Sequence, residues 1–223
     1  MADDNSTFIR EVNDELRSDA VKAFWKRFRF VIIGLAIAIV LATAGFRGWQ
    51  YWRDVTAARS GDAFLAALEL ARDGKSDEAL AAFAALETDG HGEYPVLARL
   101  RGATVLAATG DKKAAADAFL AVANTASAPA AIRAVARVRA GYLYVDAGSY
   151  DDVSRAVELL AVDGNLSRHS AREALGLSAY KAGDLKRAGE WFTAIAADQE
   201  TPGGIVGRAN VMLDLIAARG GAS

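Results

Sequence analysis

The chain has 223 residues, 52% of them hydrophobic and 24% charged, a formal net charge of −2 and no cysteine. Without cysteine it can build no disulfide, no zinc–thiolate centre and no thiol nucleophile, and its near-neutral balance gives no basis for nucleic-acid binding. Fifty alanines, about 22% of the chain, against three prolines favour helix over strand, because alanine is the best helix former and proline breaks helices.

In chain order, the first element is amphipathic. Phe8, Ile9, Val12, Leu16, Ala20 and Ala23 recur at helical spacing with Arg10, Glu11, Asp14, Glu15 and Arg17 between them. Such a helix lies on a membrane face, grips a partner, or is a solvated helix with a weak stripe. Residues 30–46 follow as 17 residues without a charge, bounded by Arg29 and Arg47. As a helix this run rises roughly 25 Å, the short end of what crosses a bilayer, and flanking arginines can snorkel to make up the difference. Phe24, Trp25, Phe28 and Phe30 stand at its start, and Trp49, Tyr51 and Trp52 follow it, as interfacial aromatics do. The alternatives are a buried core helix, which the basic and aromatic flanks disfavour, and a cleavable signal at Ala42-Thr43-Ala44, which the long polar leader disfavours. Four bases (Lys22, Lys26, Arg27, Arg29) precede the run and three (Arg47, Arg53, Arg59) follow it, a slight bias toward a cytoplasmic N-terminus.

The remainder is repetitive. Gly74, Gly110, Gly148 and Gly183 end helical runs at spacings of 36, 38 and 35 residues. Each opens a polar turn in which glycine suits a left-handed C-cap and the following Asp or Ser suits an N-cap. Seven residues before each glycine stand Ala67, Ala103, Gly141 and Gly176; five after it, Ala79, Ala115, Val153 and Ala188; nine after it, Phe83, Phe119, Val157 and Phe192. Small residues that let helices approach, followed one turn later by a ring, resemble the tetratricopeptide repeat, with the third copy degenerate. The pattern predicts helices over about 54–73, 76–88, 95–109, 112–125, 129–147, 150–162, 168–182, 185–198 and 203–219. The membrane helix is expected to run on into the first of these, bending near Gly48. The last carries Ile205, Val206, Val211, Met212, Leu215 and Ile216, a stripe that would close the end of the stack. The fold class is therefore all-α: a single N-terminal transmembrane helix followed by a tetratricopeptide-like solenoid. The domains expected are an amphipathic segment at 1–29, an anchor with its interfacial belt at 30–52, and the repeat domain at 53–223.

No catalytic constellation is legible. His91 and His169 lack a partner at metal-ligand spacing, Gly203-Gly204 belongs to no phosphate-cradling loop, and no serine occupies a nucleophile elbow. Asp77-Glu78 and Asp151-Asp152 sit at helix N-termini, where the dipole favours acids. No cofactor or metal is expected.

What remains is a groove. Offsets from the turn glycines set Leu68, Thr104, Tyr142 and Leu177, with Ala71, Ala107, Val145 and Tyr180, on the first helix of each pair, which lines the concave side of such arrays. These residues either take an extended peptide or a partner helix, or pack against the last helix and the next repeat. A basic group, Arg99, Arg101, Arg133, Arg137 and Arg139, contains Arg133 and Arg137 on one helix face. They receive an acidic segment or cover apolar surface with their stems.

The run Phe8-Ile9-Arg10-Glu11-Val12-Asn13-Asp14-Glu15-Leu16-Arg17, then Phe24-Trp25-Lys26-Arg27 ahead of one span and a repeat array, resembles the ancillary subunit family of the bacterial Sec translocon (the YfgM type) over nearly the whole chain. The resemblance implies an inner-membrane protein with its repeat domain in the periplasm, beside the SecYEG channel. It also implies contact with periplasmic chaperones or newly exported chains, and it brings no catalytic residue. The alternative is a scaffold for cell-envelope biogenesis or cell division that binds a partner peptide in the groove.

Overall fold

A computed structural model describes residues 3–220; within the first helix it describes the side chains of Lys22 and of residues from Trp25 onward. The amphipathic stripe and the motif over residues 8–17, together with Phe24, lie outside the described side chains. Every described regular element is helical. The helices are α1 (Asp3–Arg72), α2 (Ser76–Asp89), α3 (Tyr94–Ala108), α4 (Lys112–Asn124), α5 (Ala130–Ala147), α6 (Tyr150–Val157), α7 (Arg168–Lys181), α8 (Leu185–Ala197) and α9 (Gly203–Ala218), with a 3-10 turn at Glu158–Leu160. α1 is helical throughout, Gly48 included, as the lack of any breaker between residues 46 and 73 requires. The chain divides into two compact units, Met1–Val55 and Thr56–Ser223.

The first unit consists of α1 up to Val55. Its apolar run is long and apolar enough to cross a membrane and is exposed throughout. Thr43 donates its hydroxyl to the Ile39 carbonyl at 2.8 Å, so the one polar side chain in the run is satisfied within the helix. At both ends cations lie over rings: Arg29 over Phe30 at 4.7 Å and Arg53 over Trp49 at 5.1 Å. An amphipathic ring beside a guanidinium is suited to the headgroup layer.

The second unit is a stack of helix pairs: the last turns of α1 with α2, α3 with α4, α5 with α6, and α7 with α8, closed by α9. Each helix from α2 onward packs on the next, and α5 with α7 and α7 with α9 also touch. This is the solenoid pattern, in which each repeat meets only its neighbours. Observed boundaries fall within two residues of those expected, except in the third pair: α6 stops at Val157 and tightens into the 3-10 turn instead of running to 162.

The repeat positions are the core. Ala79, Ala115, Val153 and Ala188, then Phe83, Phe119, Val157 and Phe192, are all buried. The small position before each turn faces the large one after it. A Cβ added at Gly141 would lie 2.5 Å from Val157 Cγ1, and one at Gly176 would lie 2.9 Å from Phe192 Cζ. Burial is partitioned into three clusters: Phe83 with Ala67, Ala98 and Val105; Phe119 with Tyr144, Val157 and Leu175; and Phe192 with Ile195, Ala209 and Ile216.

Three of the four turn glycines, Gly74, Gly110 and Gly183, take positive φ (77°, 97° and 82°). At Gly74 the Lys75 N–H reaches Leu70 O at 3.0 Å and the Gly74 N–H reaches Ala71 O at 3.3 Å, a Schellman closure. Gly148 differs: it is extended, with φ −122° and ψ −170°. Glycine is needed there for space, since a Cβ would lie 3.0 Å from Tyr144 Cδ1 and 3.1 Å from Asp152 Cβ. Asp111, Ser149 and Asp184 cap the helices that follow them, Ser149 within a capping box closed by Asp152. Lys75, which precedes α2, makes no side-chain cap. In α9 the stripe is shifted from the one expected: Ala209 and Ile216 are buried and Ile205, Met212 and Leu213 pack beside them, while Val211 and Leu215 are exposed.

Candidate partner-binding clefts

The first helices of the pairs bring the expected groove residues into two clefts rather than one. The first, of about 280 Å³, holds Leu68 from α1 and Thr104 from α3 together, rimmed by Arg72 and Arg101. Thr104 turns its hydroxyl onto its own helix, donating to Leu100 O at 3.0 Å. The second, of about 720 Å³, holds Tyr142 from α5 and Leu177 from α7 against Gly204, Gly207, Val211 and Met212 of α9. Gly204 and Gly207 bring no side chain into that wall, which leaves room beside Val211 and Met212.

A charged clamp, which spacing does not reveal, crosses the second cleft. The Tyr142 hydroxyl donates to Glu173 Oε2 at 2.6 Å, and Arg208 donates through Nε to Oε1 at 2.5 Å and through Nη2 to Oε2 at 2.9 Å. Three successive first helices, α5, α7 and α9, are thus joined through one carboxylate in a bidentate, charge-assisted arrangement. Burial alone would raise the Glu173 carboxyl, but the bonds from Arg208 and Tyr142 outweigh it and hold it below its ordinary value. Burial first, then the hydrogen bond to Glu173, pushes the Tyr142 phenol well up.

Tyr180 does not join the cleft. Like Leu177, Ile205 and Met212 it packs against the third core, and the Arg219 guanidinium covers its ring at 4.7 Å. Arg133 and Arg137 line a separate cleft of about 760 Å³ between α5 and the segment joining α6 to α7. Arg137 is held inward, donating to Asn124 Oδ1 at 2.8 Å and Ala156 O at 3.3 Å. Arg99 bonds Glu87 and Thr125, and Arg139 stacks over Phe119 at 5.7 Å, so the basic group is not one patch.

α7 carries a second buried polar set. Arg168 donates through Nε to Asp198 Oδ2 at 2.7 Å, and Arg172 donates through Nε to Ala161 O at 3.1 Å. Thr201 donates its single hydroxyl proton to Ile195 O at 2.8 Å, so His169 Nδ1, 2.9 Å from the same oxygen, carries the proton that it donates to Thr201. Burial, then the Arg168 charge, lowers the His169 pKa and keeps the ring neutral. No buried side-chain polar atom among the described residues lacks a partner. These groups are structural, and no three metal-ligating side chains come together among the described residues.

Paired antiparallel helices, with a small residue of the first opposite a large residue of the second and a glycine turn between them, are found in tandem from α1 to α8. Residues 22–163 match the model of the tetratricopeptide repeat-like domain. The chain belongs to that family. The tetratricopeptide repeat-like match covers the apolar stretch of α1 and the first three pairs; the fourth pair, with Gly176 against Phe192, continues the same geometry beyond it. No curated protein matches the chain. Tetratricopeptide repeat-like domains are in general protein–protein interaction modules without catalysis.

Proposed function

We propose that the chain is a membrane-anchored adaptor whose repeat unit stands in the periplasm beside the Sec translocon and holds periplasmic chaperones or newly exported chains near it. The observation that carries this reading is the combination, in one chain, of an exposed apolar helix with arginine–aromatic flanks and a repeat unit with open clefts on its first helices. The excess of bases before the span, four against three, supports an N-terminus in the cytoplasm and the repeats on the far side. The translocon as neighbour rests on the resemblance of residues 8–17 and 24–27 to the ancillary subunit family. In this reading Leu68 and Thr104, and separately Tyr142 and Leu177, contact the partner, Tyr180 seats the last helix behind them, and Arg133, with Arg137 held inward beside it, faces acidic groups.

The test is a photo-crosslinking amino acid at Leu68 or Tyr142 of the full-length protein in intact cells, with the products identified by mass spectrometry. Translocon subunits, chaperones or secretory chains are the expected adducts. Adducts confined to cell-division or wall-synthesis proteins, with septal localisation, would replace this reading by the scaffold one. Cleavage of residues 60–223 by protease from the cytoplasmic side alone would overturn it.

A further inference from the structure

Three of the repeat unit's seven large exposed aliphatics line one cleft, and a fourth lies on the same segment. Leu159, Val162 and Leu166 are 55%, 56% and 96% exposed on the segment between α6 and α7, and Val135, 48% exposed, stands opposite on α5. Val135, Leu159 and Leu166 line the cleft of about 760 Å³ that also contains Arg133 and Arg137. A leucine exposed alone is ordinary, but three aliphatics gathered in one cleft make an apolar patch of the kind that marks an interaction surface.

The segment is held rather than loose. Arg172 donates to Ala161 O and pairs with Asp163, and Arg168 donates through Nη1 to Asn165 O at 3.2 Å. Ser167 N–H closes onto Asn165 Oδ1 at 2.9 Å, and Gly164 turns the chain at φ 81°. Two buried arginines of α7 therefore fix the backbone that displays Leu166, which reduces the ordering cost of binding.

The cleft also has a sign. Its lining contains two arginines and no carboxylate, although residues 61–223 carry 17 bases and 21 acids. Arg137 is spent on Asn124 and Ala156. The Arg133 guanidinium has no partner among the described residues. One free guanidinium beside aliphatic sockets complements a carboxylate next to an aliphatic side chain. A lipid surface would call for several free bases instead.

We infer that this cleft is a docking site for an acidic, leucine-bearing segment of a partner protein, gripped by Leu159, Leu166 and Val135 and oriented by Arg133; it rests on the adaptor reading and names a surface for it away from the first-helix clefts. The probe is a short fluorescein-labelled peptide of paired Leu and Glu residues, titrated by anisotropy into the full-length protein in nanodiscs of neutral lipid. Saturable binding is expected, weakened about tenfold or more by Leu166→Ser and by Arg133→Glu and unchanged by Leu65→Ser, an exposed leucine of α1 outside the cleft. A peptide with Lys in place of Glu should bind Arg133→Glu better than the parent. Thermal melts of the variants should match the parent, since neither side chain is in a core.

No saturable binding, equal binding of the Lys peptide to the parent, or indifference to both cleft substitutions overturns the proposal. So does a cleft that binds phosphatidylglycerol vesicles and no peptide. Failure of the peptide with the Leu68 and Tyr142 crosslinks intact removes this site alone; loss of those crosslinks with peptide binding intact removes the adaptor reading beside the translocon alone.

Discussion

Gly176 lies under the Phe192 ring and Gly141 under Val157, so their missing side chains are part of the packing. Gly176→Ala would put a methyl carbon 2.9 Å from Phe192 Cζ, in a core where the ring has no free side to move to. Overpacking of this kind costs about 1–3 kcal/mol, read as a lowered midpoint in urea denaturation followed by circular dichroism. Gly189 in α8 is the control: nothing lies within 4 Å of an added Cβ. Gly189→Ala should therefore stabilise by about 0.5–1 kcal/mol through helix propensity alone. The small and large positions were readable in the sequence because both recur at fixed offsets from the turn glycines. The conformation of Gly148 was not. Its spacing matches the other three, but the Ser149–Asp152 capping box sets its backbone extended and Tyr144 fills the room beside it.

At the scale of the element, helix ends were legible because glycine, proline and capping residues mark them. The early stop of α6 was not, since Glu158, Leu159 and Leu160 are all good helix formers and nothing local marks the tightening into a 3-10 turn. Likewise the Tyr142–Glu173–Arg208 clamp joins residues 31 and 35 positions apart, and no local pattern announces such a pairing. α7 holds its surroundings through groups that titrate. Arg168, Arg172, Asp198 and Glu200 all face His169, whose folded pKa lies below its ordinary 6.5. The unfolded chain then binds the proton first, so His169 contributes stability that is complete above pH 6.5 and lost as pH falls from there through the folded value. Asp117, Asp152, Glu173 and Asp198 are held below their ordinary values of 3.8 to 4.5, so their contribution is lost only below that range. A stability slope of up to about 1.4 kcal/mol per pH unit is expected just below pH 6.5. His169→Asn, which keeps an N–H for Thr201, should flatten that slope and leave the acid transition in place, as followed by thermal midpoints across roughly pH 2 to 8 in half-unit steps.

Over the whole molecule, periodicity carried the sequence far: an unbroken apolar run and a repeat near 36 residues both survive degeneracy at single positions. Which faces remain open did not follow, because exposure depends on how successive pairs meet. Leu166 and Val211 read as ordinary apolar residues until their surroundings are known. Three separate cores and nearest-neighbour packing predict that damage stays local. Deleting 203–223 removes Arg208 from Glu173 and uncovers Phe192 and Ile195. Hydrogen exchange measured by mass spectrometry should then quicken in α7 and α8 by at least about tenfold, and stay unchanged in α2 to α4. Equal quickening throughout would mean that the unit unfolds as a single cooperative block.

The third pair shows what such insulation permits over generations. Its valines stand where the other pairs keep alanine and phenylalanine, its second helix is cut short, and the chain thereby released forms the display segment around Leu166. A stack whose members lean only on their neighbours lets one member differ while the others keep the shared pattern, so a departure in one pair need not disturb the rest.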